Sequence, residues 1–150
     1  MLTLAIALVL ARIPWITVGS MRYEQELLAL MRGHCFRSNC CKSFPQDTTW
    51  FIGWPSVYAA DPVACCAISR KKGHYVLHNL CVHRDHRRQR WASALYQKAI
   101  AYCRRENLHR SIRVMIEQEN DASRAVLASG FPGFERVRST TAYDKYRMSW

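Results

Sequence analysis

The sequence predicts a single α/β domain. Its 150 residues, 49% apolar and 22% charged, have the length and composition of one globular domain with one core. Short β-branched and aromatic segments alternate with segments of helical periodicity, which is the pattern of a mixed α/β fold. No repeat, low-complexity tract or linker divides residues 1–150, so we expect no second domain.

The N-terminal segment is predicted to form two strands. Residues 2–10 are apolar, but they fall short of the roughly 18 residues that a membrane span requires. A signal peptide would begin with basic residues, whereas the first positive side chain is Arg12. We therefore expect a strand at 2–10, a second strand at Trp15–Val18, and no membrane contact.

The next segment is predicted to be a helix over Met21–Arg32. Ser20 is a favourable N-cap, and Gly33 is a favourable position for the helix to end. Apolar residues at helical spacing give the helix one core-facing side: Leu27, Leu28, Leu30 and Met31. The polar stretch Arg37–Asp47 contains Ser, Asn, Pro and Lys and is predicted to be a loop.

Three strands are predicted in the middle of the chain. Thr48–Trp54 is aromatic and β-branched, and Pro55 ends it. Val63–Ser69 and His74–Val82 are the other two strands, and the turn Arg70–Gly73 joins them as a hairpin.

The second half of the chain is predicted to contain two helices and three further strands. The predicted elements are a helix at Trp91–Glu106, a strand at Ser111–Ile116, a helix at Asp121–Ser129, and a strand pair at Val137 and Thr140–Met148. Asn120 is the expected N-cap of the second helix, and Gly130 is its expected end.

Charge and cysteine content restrict the partners and the compartment. The formal net charge of +11 favours anionic partners and disfavours polycationic substrates.

Seven cysteines are an odd number, and the pairs Cys40-Cys41 and Cys65-Cys66 do not resemble a disulfide framework. We therefore expect a reducing, intracellular location in the cytoplasm or the nucleus. His34, Cys35 and the first cysteine pair match no common zinc spacing, so we predict no metal site.

The junction between the strand that ends at Val82 and the helix that begins at Trp91 is the most informative part of the chain. A short, strongly basic turn connects the two elements. The first N–H groups of a helix lack intrahelical partners, and the helix dipole is positive at that end. The junction therefore predicts a site for an anion, and a phosphate-bearing ligand is the first functional hypothesis.

Three segments of the chain, in this order, resemble the GCN5-related N-acetyltransferase (GNAT) superfamily. Leu80-Cys-Val82 is similar to the family's L-x-V strand end, and Arg87-Arg-Gln-Arg-Trp-Ala92 to its acyl-CoA loop, [RQ]-x-x-G-x-[GA]. Ser111–Phe131 resembles the following strand, Asn, helix and Gly-Phe. The best match covers residues 63–131. The resemblance implies one domain with a twisted, mostly antiparallel sheet flanked by helices, and acetyl-CoA as co-substrate.

The resemblance also implies which residues bind acetyl-CoA. Backbone N–H groups at the helix start would hold the pyrophosphate, and the arginines would add charge-assisted contacts. Backbone groups at the strand end would pair with the pantetheine arm. Asn120 would contact that arm, with a simple helix cap as the alternative. The complete predicted set is Leu80, Cys81, Val82, Arg87, Arg88, Gln89, Arg90, Trp91, Ala92, Ser93 and Asn120.

The predicted catalytic residues are His78 and Asn79. The resemblance places both where a general base lies in many members, and the reference pKa of histidine, about 6.5, suits that task. Asn79 cannot take a proton and would orient substrate or water. The alternative for His78 is a purely structural role.

Two departures from the family pattern concern the loop and the general acid. Arg90 replaces the first loop glycine, and Val126 and Leu127 stand where a tyrosine is usual. Catalysis would then need water or another proton donor, such as Tyr96 or Tyr143, or it would be slow.

We therefore expect an acetyl-CoA-dependent N-acetyltransferase in which the amine attacks the thioester directly. The acceptor would be a neutral or acidic amine rather than a polycation. Two alternatives stay open: a degenerate domain that binds acyl-CoA or a partner without turnover, and a nucleic-acid-binding module built on His83–Arg90 with Trp91 for base stacking. Nucleic acid is the less favoured partner, and the oligomeric state, for which a dimer is one option, is open.

Overall fold

A computed structural model describes residues 15–19, 23–35 and 47–150. The described elements, in chain order, are β1 (Trp15–Gly19), α1 (Glu24–His34), β2 (Thr48–Trp54), β3 (Ala64–Lys71), β4 (His74–Val82), α2 (Trp91–Glu106), β5 (Ser111–Glu117), α3 (Asp121–Gly130), β6 (Glu135–Ser139) and β7 (Tyr143–Ser149). The strand predicted at 2–10, the Ser20 cap, most of the predicted Arg37–Asp47 loop and Cys40-Cys41 lie outside the described residues.

The strands form one sheet in the order β1-β2-β3-β4-β5-β7-β6. Every neighbouring pair is antiparallel except β4 and β5, which are parallel because α2 carries the chain across between them. The sheet is therefore mostly antiparallel and flanked by helices, which confirms the predicted fold class.

The two faces of the sheet carry separate clusters of buried side chains. On one face α1 packs against β2, β3 and the end of β4 through Leu27, Leu30 and Met31. On the other face α2 and α3 cover a larger core, which includes Leu95 and Leu127. None of the helices within the described ranges is long and apolar enough to span a membrane.

Several element boundaries differ from the sequence prediction, and particular hydrogen bonds explain two of the differences. The helix α1 does not end at Gly33 but continues to His34, and its last backbone bond runs from the Cys35 N–H to the Met31 carbonyl. The last strand begins at Tyr143 rather than Thr140. The Thr140 hydroxyl oxygen accepts the Tyr143 N–H at 3.0 Å, and this side-chain bond holds a turn where a strand was predicted.

Candidate active site

The strands β4 and β5 separate after only three paired residues. Their register runs from Tyr75 opposite Ile112 to Leu77 opposite Val114 and then ends. Beyond that point β4 stays paired with β3 as far as Val82, and β5 stays paired with β7. The two parallel strands therefore splay apart toward their carboxyl ends, where an open sheet commonly binds its ligand.

A cavity of about 140 Å³ fills the space between the splayed strands. His78, Asn79 and Leu80 line it from β4, and Met115 and Glu117 are among the β5 residues that line it. The other lining groups come from α1 and from the opposite layer of helices: Cys35, Tyr96, Asn120 and Ser123. The cavity thus touches elements on both faces of the sheet.

A bulge in β4 sets the direction of the residues that line the cavity. Cys65 pairs with Cys81 and Ala67 with His78, so two residues of β4 stand opposite Cys66. Asn79, within the bulge, has a φ of 54°, a left-handed conformation that asparagine tolerates better than most residues. The bulge breaks the alternation of β4, so that neighbouring residues on either side of it turn toward the opening.

His78 is held in place by neighbouring side chains. Its Nε2 lies 2.7 Å from the Ser69 hydroxyl oxygen, which in turn lies 2.9 Å from the Thr48 hydroxyl oxygen. Burial lowers the pKa of His78 below its usual value, and a hydrogen bond with the Asn79 side chain opposes that effect. The ring is therefore neutral at neutral pH and can accept a proton.

The loop before α2 has the backbone of a glycine-containing loop, although arginines occupy it. Arg88 has a φ of 60° and Arg90 a φ of 64°, both in the left-handed region that favours glycine. No side chain caps α2, and its first turn donates no intrahelical bond before the Ala94 N–H bonds the Arg90 carbonyl. The N–H groups of Trp91, Ala92 and Ser93 thus form the donor set of an anion site.

The loop residues differ in whether their side chains remain available for a ligand. Arg87 donates from Nη2 to the His34 carbonyl at 2.8 Å and from Nε to the Val82 carbonyl at 3.3 Å, so it links the ends of α1 and β4. Gln89 donates to the Asp85 carbonyl. Arg88 and Arg90 are exposed and make no ion pair within the described part of the chain.

Asn120 caps α3, as its position in the sequence predicted. Its Oδ1 accepts the Ser123 N–H at 3.2 Å, and both residues line the cavity. The start of α3 is fixed further by Arg124, which donates to Gln118 and Asp121 and approaches the buried carboxylate of Asp144. The cap and the cavity contact coexist, so a cap role does not remove Asn120 from the candidate site.

The residues considered as proton donors occupy different environments. Tyr96 lines the cavity, and burial raises the pKa of its hydroxyl, so the group is protonated at neutral pH and can donate a hydrogen bond. Tyr143 does not line the cavity. Leu127, near the position of the tyrosine usual in the family, is buried in the core. Tyr96 is therefore the better placed of the two sequence candidates.

Two predicted strand-end residues lie outside the cavity lining. The Cys81 thiol lies 3.7 Å from the Leu30 carbonyl on the α1 face, and the Val82 carbonyl accepts the Arg87 bond. Leu80 is the residue of this predicted group that lines the cavity. The role of Cys81 and Val82 in ligand binding stays a prediction.

Sequence reasoning missed six of the residues that line the cavity: Cys35, Val114, Met115, Ile116, Glu117 and Ser123. The strand β5 was predicted to end at Ile116, one residue too early, which left Glu117 in a loop. The position of Glu117 at the carboxyl end of β5 could have indicated its role, because ligand sites lie at the carboxyl ends of parallel strands. No local sequence pattern indicated that Cys35 lines the cavity, because only the packing of α1 on the sheet brings it close to β4.

The described cysteines and histidines form neither a disulfide nor a metal cluster. No disulfide joins any of the described cysteines, which are Cys35, Cys65, Cys66, Cys81 and Cys103. Within the described ranges, no group of three or more ligating side chains is close enough to hold a metal ion.

Comparison with known proteins identifies the family. The sequence profile of the Acetyltransferase (GNAT) family matches residues 19–131. The chain therefore belongs to the Acetyltransferase (GNAT) family. No curated protein matches the chain.

Several solved structures share the fold across nearly their whole length. The PaiA N-acetyltransferase of Thermoplasma acidophilum, in complex with coenzyme A, aligns over 92% of this chain and 99% of its own, with a TM-score of 0.73 and 8% identity. A GNAT-family acetyltransferase of Staphylococcus aureus aligns over 91% and 99%, with a TM-score of 0.70 and 12% identity. The ribosomal-protein-S18-alanine N-acetyltransferase of Escherichia coli aligns over 90% and 94%, with a TM-score of 0.64 and 15% identity. At these identities the likeness establishes the fold alone.

Proposed function

We propose that this protein is an acetyl-CoA-dependent N-acetyltransferase in which an amine attacks the thioester directly in a ternary complex. The observation that carries the proposal is the cavity between β4 and β5, together with the uncapped start of α2 beyond the end of β4. The family supports the acyl-CoA substrate, and a structural neighbour was solved with coenzyme A. The absence of a disulfide among the five described cysteines suits the intracellular location that we also propose.

The diphosphate of CoA would bind at the start of α2. The N–H groups of Trp91, Ala92 and Ser93 provide uncompensated donors, and the left-handed residues beside them turn the backbone into a concave anion site. The exposed guanidinium groups of Arg88 and Arg90 would add charge-assisted contacts. Arg87 would instead stabilise the loop of the anion site, because its side chain links the end of β4 to the end of α1.

The pantetheine arm would run from this anion site into the cavity. Leu80 would contact it from β4 and Asn120 from the start of α3, because both line the same cavity. The Cys81 and Val82 backbones are proposed to contribute at the outer end. This path puts the thioester between the two strands, with His78 on one side and Tyr96 on the other.

The proposed reaction transfers the acetyl group in one step. The neutral ring of His78 takes a proton from the acceptor ammonium, directly or through a water that Asn79 orients. The amine nitrogen then forms a bond to the thioester carbon, and the carbon–sulfur bond breaks. The Tyr96 hydroxyl donates a hydrogen bond to the departing thiolate, which takes its proton from solvent and so balances the proton held by His78. Proximity in one cavity supplies much of the acceleration.

The test is acetyl transfer from acetyl-CoA to a panel of amine-bearing peptides, followed by mass spectrometry. We expect Tyr96→Phe to lower kcat by about a hundredfold with little change in the KM for acetyl-CoA. Tyr102→Phe is the matched control, because Tyr102 lies on the same helix with its hydroxyl 3.4 Å from Thr49 Oγ1 and does not line the cavity. An equal loss in both variants would remove Tyr96 from the mechanism.

One alternative function keeps specific support. Arg90 occupies a left-handed position that glycine would fill without strain, and Leu127 cannot donate a proton. A domain that binds acyl-CoA without turnover would show this combination. Binding of acetyl-CoA with no acetylated product from any peptide would select that alternative. The nucleic-acid alternative loses its stacking residue, since Trp91 is only 7% exposed.

A further inference from the structure

A basic surface lies on the face of the sheet opposite α2 and α3. Along β5, Ile112, Val114 and Ile116 point into the core, so Arg113 and Met115 point to the opposite face. Along β7, the residues directly opposite these two are Arg147 and Lys145. Because partners across a sheet share a face, all four side chains project together. The buried side chains of α1 pack against β2, β3 and β4, and not against this surface.

The edge strand β6 extends the same surface. Arg138 stands opposite Lys145, and Glu135 stands opposite Arg147. Burial is the largest cause that lowers the pKa of His74 of β4, and the nearby charges of Arg113 and Lys145 lower it further. We name the group Arg113, Arg138, Lys145 and Arg147 the basic strip. It carries four positive charges, and two carboxylates share its face on these strands: the exposed Glu135 and, at the carboxyl end of β5, Glu117.

The pairing of like charges within the basic strip destabilises the sheet. Arg113 faces Arg147, and Lys145 faces Arg138, and like charges directly opposite on neighbouring strands are destabilising. No carboxylate of the described residues forms an ion pair with any member of the strip. A chain that keeps two such repulsive pairs on one face is expected to use them for an anion.

The strip adjoins the proposed active site. Met115, which is 59% exposed, lies opposite Lys145 of the strip and also lines the cavity. Glu117 follows two residues later on the same face of β5. Arg113 is four residues from Glu117, about 13 Å along an extended strand. An extended peptide whose N-terminal ammonium lies beside Glu117 would bring its third to fifth residues over Arg113 and Arg147.

We propose that the basic strip selects the acceptor: an acidic peptide whose free amine enters the cavity while carboxylates at about its third to fifth positions bind Arg113 and Arg147. The proposal rests on the proposed acetyltransferase function. Charge complementarity favours an anion. No aromatic ring of β5, β6 or β7 is exposed enough for a nucleobase to stack on it, because the exposed large apolar side chains of these strands are Met115 and Val137. A peptide therefore fits better than a nucleic acid.

Fluorescence anisotropy with labelled peptides and the full chain tests the binding directly. The probes are a peptide with Glu at positions three to five, the same peptide with Gln, the same with Lys, and a single-stranded oligonucleotide. We expect the Glu peptide to bind about tenfold more tightly than the Gln peptide, with the difference shrinking as salt rises. Equal binding of the Glu and Gln peptides, or tighter binding of the oligonucleotide, would overturn the proposal.

Paired variants assign the selectivity to the strip. Arg113→Gln/Arg147→Gln should abolish the preference for Glu, and Arg113→Glu/Arg147→Glu should invert it toward Lys. The control Lys98→Glu/Arg105→Glu changes the net charge as much as the second variant does, on exposed positions of α2, and should keep the preference. Loss of preference in the control would mean that net charge, and not the strip, selects the peptide.

The peptide panel also separates this proposal from the proposed function. If the Glu peptide binds through Arg113 and Arg147 but no peptide is acetylated, the strip is a peptide site and the enzymatic proposal fails. If Glu and Gln peptides are acetylated with equal kcat/KM, the enzymatic proposal stands and the strip does not select the acceptor.

Discussion

The ring of Trp91 occupies the space that a side chain on Gly53 would need. A Cβ built on Gly53 would lie 2.8 Å from two ring carbons of Trp91, which is closer than the Cβ atoms of folded proteins come to such neighbours. Trp91 is the first residue of α2, and Gly53 lies in β2. The absent side chain of one strand residue thus allows the helix start, and with it the proposed anion site, to seat against the sheet.

We predict that Gly53→Ala destabilises the protein by about 1–3 kcal/mol, because the rigid ring of Trp91 must move. The same change should weaken acetyl-CoA binding, because the displaced ring begins α2. Urea unfolding and calorimetric titration measure the two effects. Gly33→Ala is the matched control, since nothing lies within 4 Å of its added Cβ. Within α1 that substitution should leave stability unchanged or raise it by about 0.5–1 kcal/mol. Equal losses in both variants would contradict the account.

Arg90→Gly should stabilise the protein. The left-handed conformation at Arg90 costs a non-glycine residue about 1–2 kcal/mol, and glycine adopts it without that strain. Part of the gain is offset by the greater backbone entropy of glycine in the unfolded chain, so we expect a net increase of about 1 kcal/mol. Thermal unfolding measures it. Arg110→Gly, an exposed position without a positive φ, should lower stability. A lower unfolding temperature for Arg90→Gly would contradict the strain argument.

Stability should fall as pH falls through the titration range of histidine. Burial is the largest cause that lowers the pKa values of His34, His74 and His78, and nearby cations add to it. Below the unfolded-state pKa of about 6.5 the unfolded chain binds more protons than the folded chain, so the free energy of unfolding decreases with acidification. Above that pH these three groups contribute no pH dependence.

The variant His78→Gln tests the contribution of one of these groups. It should make the dependence of unfolding free energy on pH between about 5 and 7 shallower, without removing it, because His34 and His74 still titrate. Urea unfolding at several pH values provides the measurement. A slope identical to that of the natural protein would mean that His78 is protonated equally in both states.

Two variants separate the contribution of Asn120 to stability from its contribution to acetyl-CoA binding. Asn120→Ala removes the cap bond to the Ser123 N–H and should cost about 1 kcal/mol of stability. Asn120→Asp keeps an N-cap oxygen but loses the amide donor and adds a negative charge beside the cavity. We expect Asn120→Asp to retain stability and to bind acetyl-CoA more weakly. Unchanged binding by Asn120→Asp would assign Asn120 to the cap alone.

The sequence predicted the parts of the site that local chemistry determines. The basic turn, the start of α2 at Trp91 and the Asn120 cap follow from local residue types, and the structure contains each of them. The family pattern has a glycine where this chain has Arg90, and Arg90 adopts a left-handed backbone with a φ of 64°.

The remaining features depend on contacts between distant segments. Arg87 was grouped with the other arginines as a ligand for phosphate, yet its side chain links His34 to Val82, 53 and 5 residues away along the chain. Trp91 was considered for base stacking, but Gly53 provides the space that buries it. The basic strip could not be predicted from the sequence, because Arg113 and Arg147 become neighbours only through the register of β5 and β7.

Calorimetric titration of the protein with acetyl-CoA tests the central claim most directly. We predict one acetyl-CoA site per chain and an affinity that falls as salt rises. The affinity should also fall clearly in Arg88→Glu/Arg90→Glu. Tight binding that survives this double reversal would move the diphosphate away from the start of α2. No binding of acetyl-CoA by the natural sequence would contradict the account.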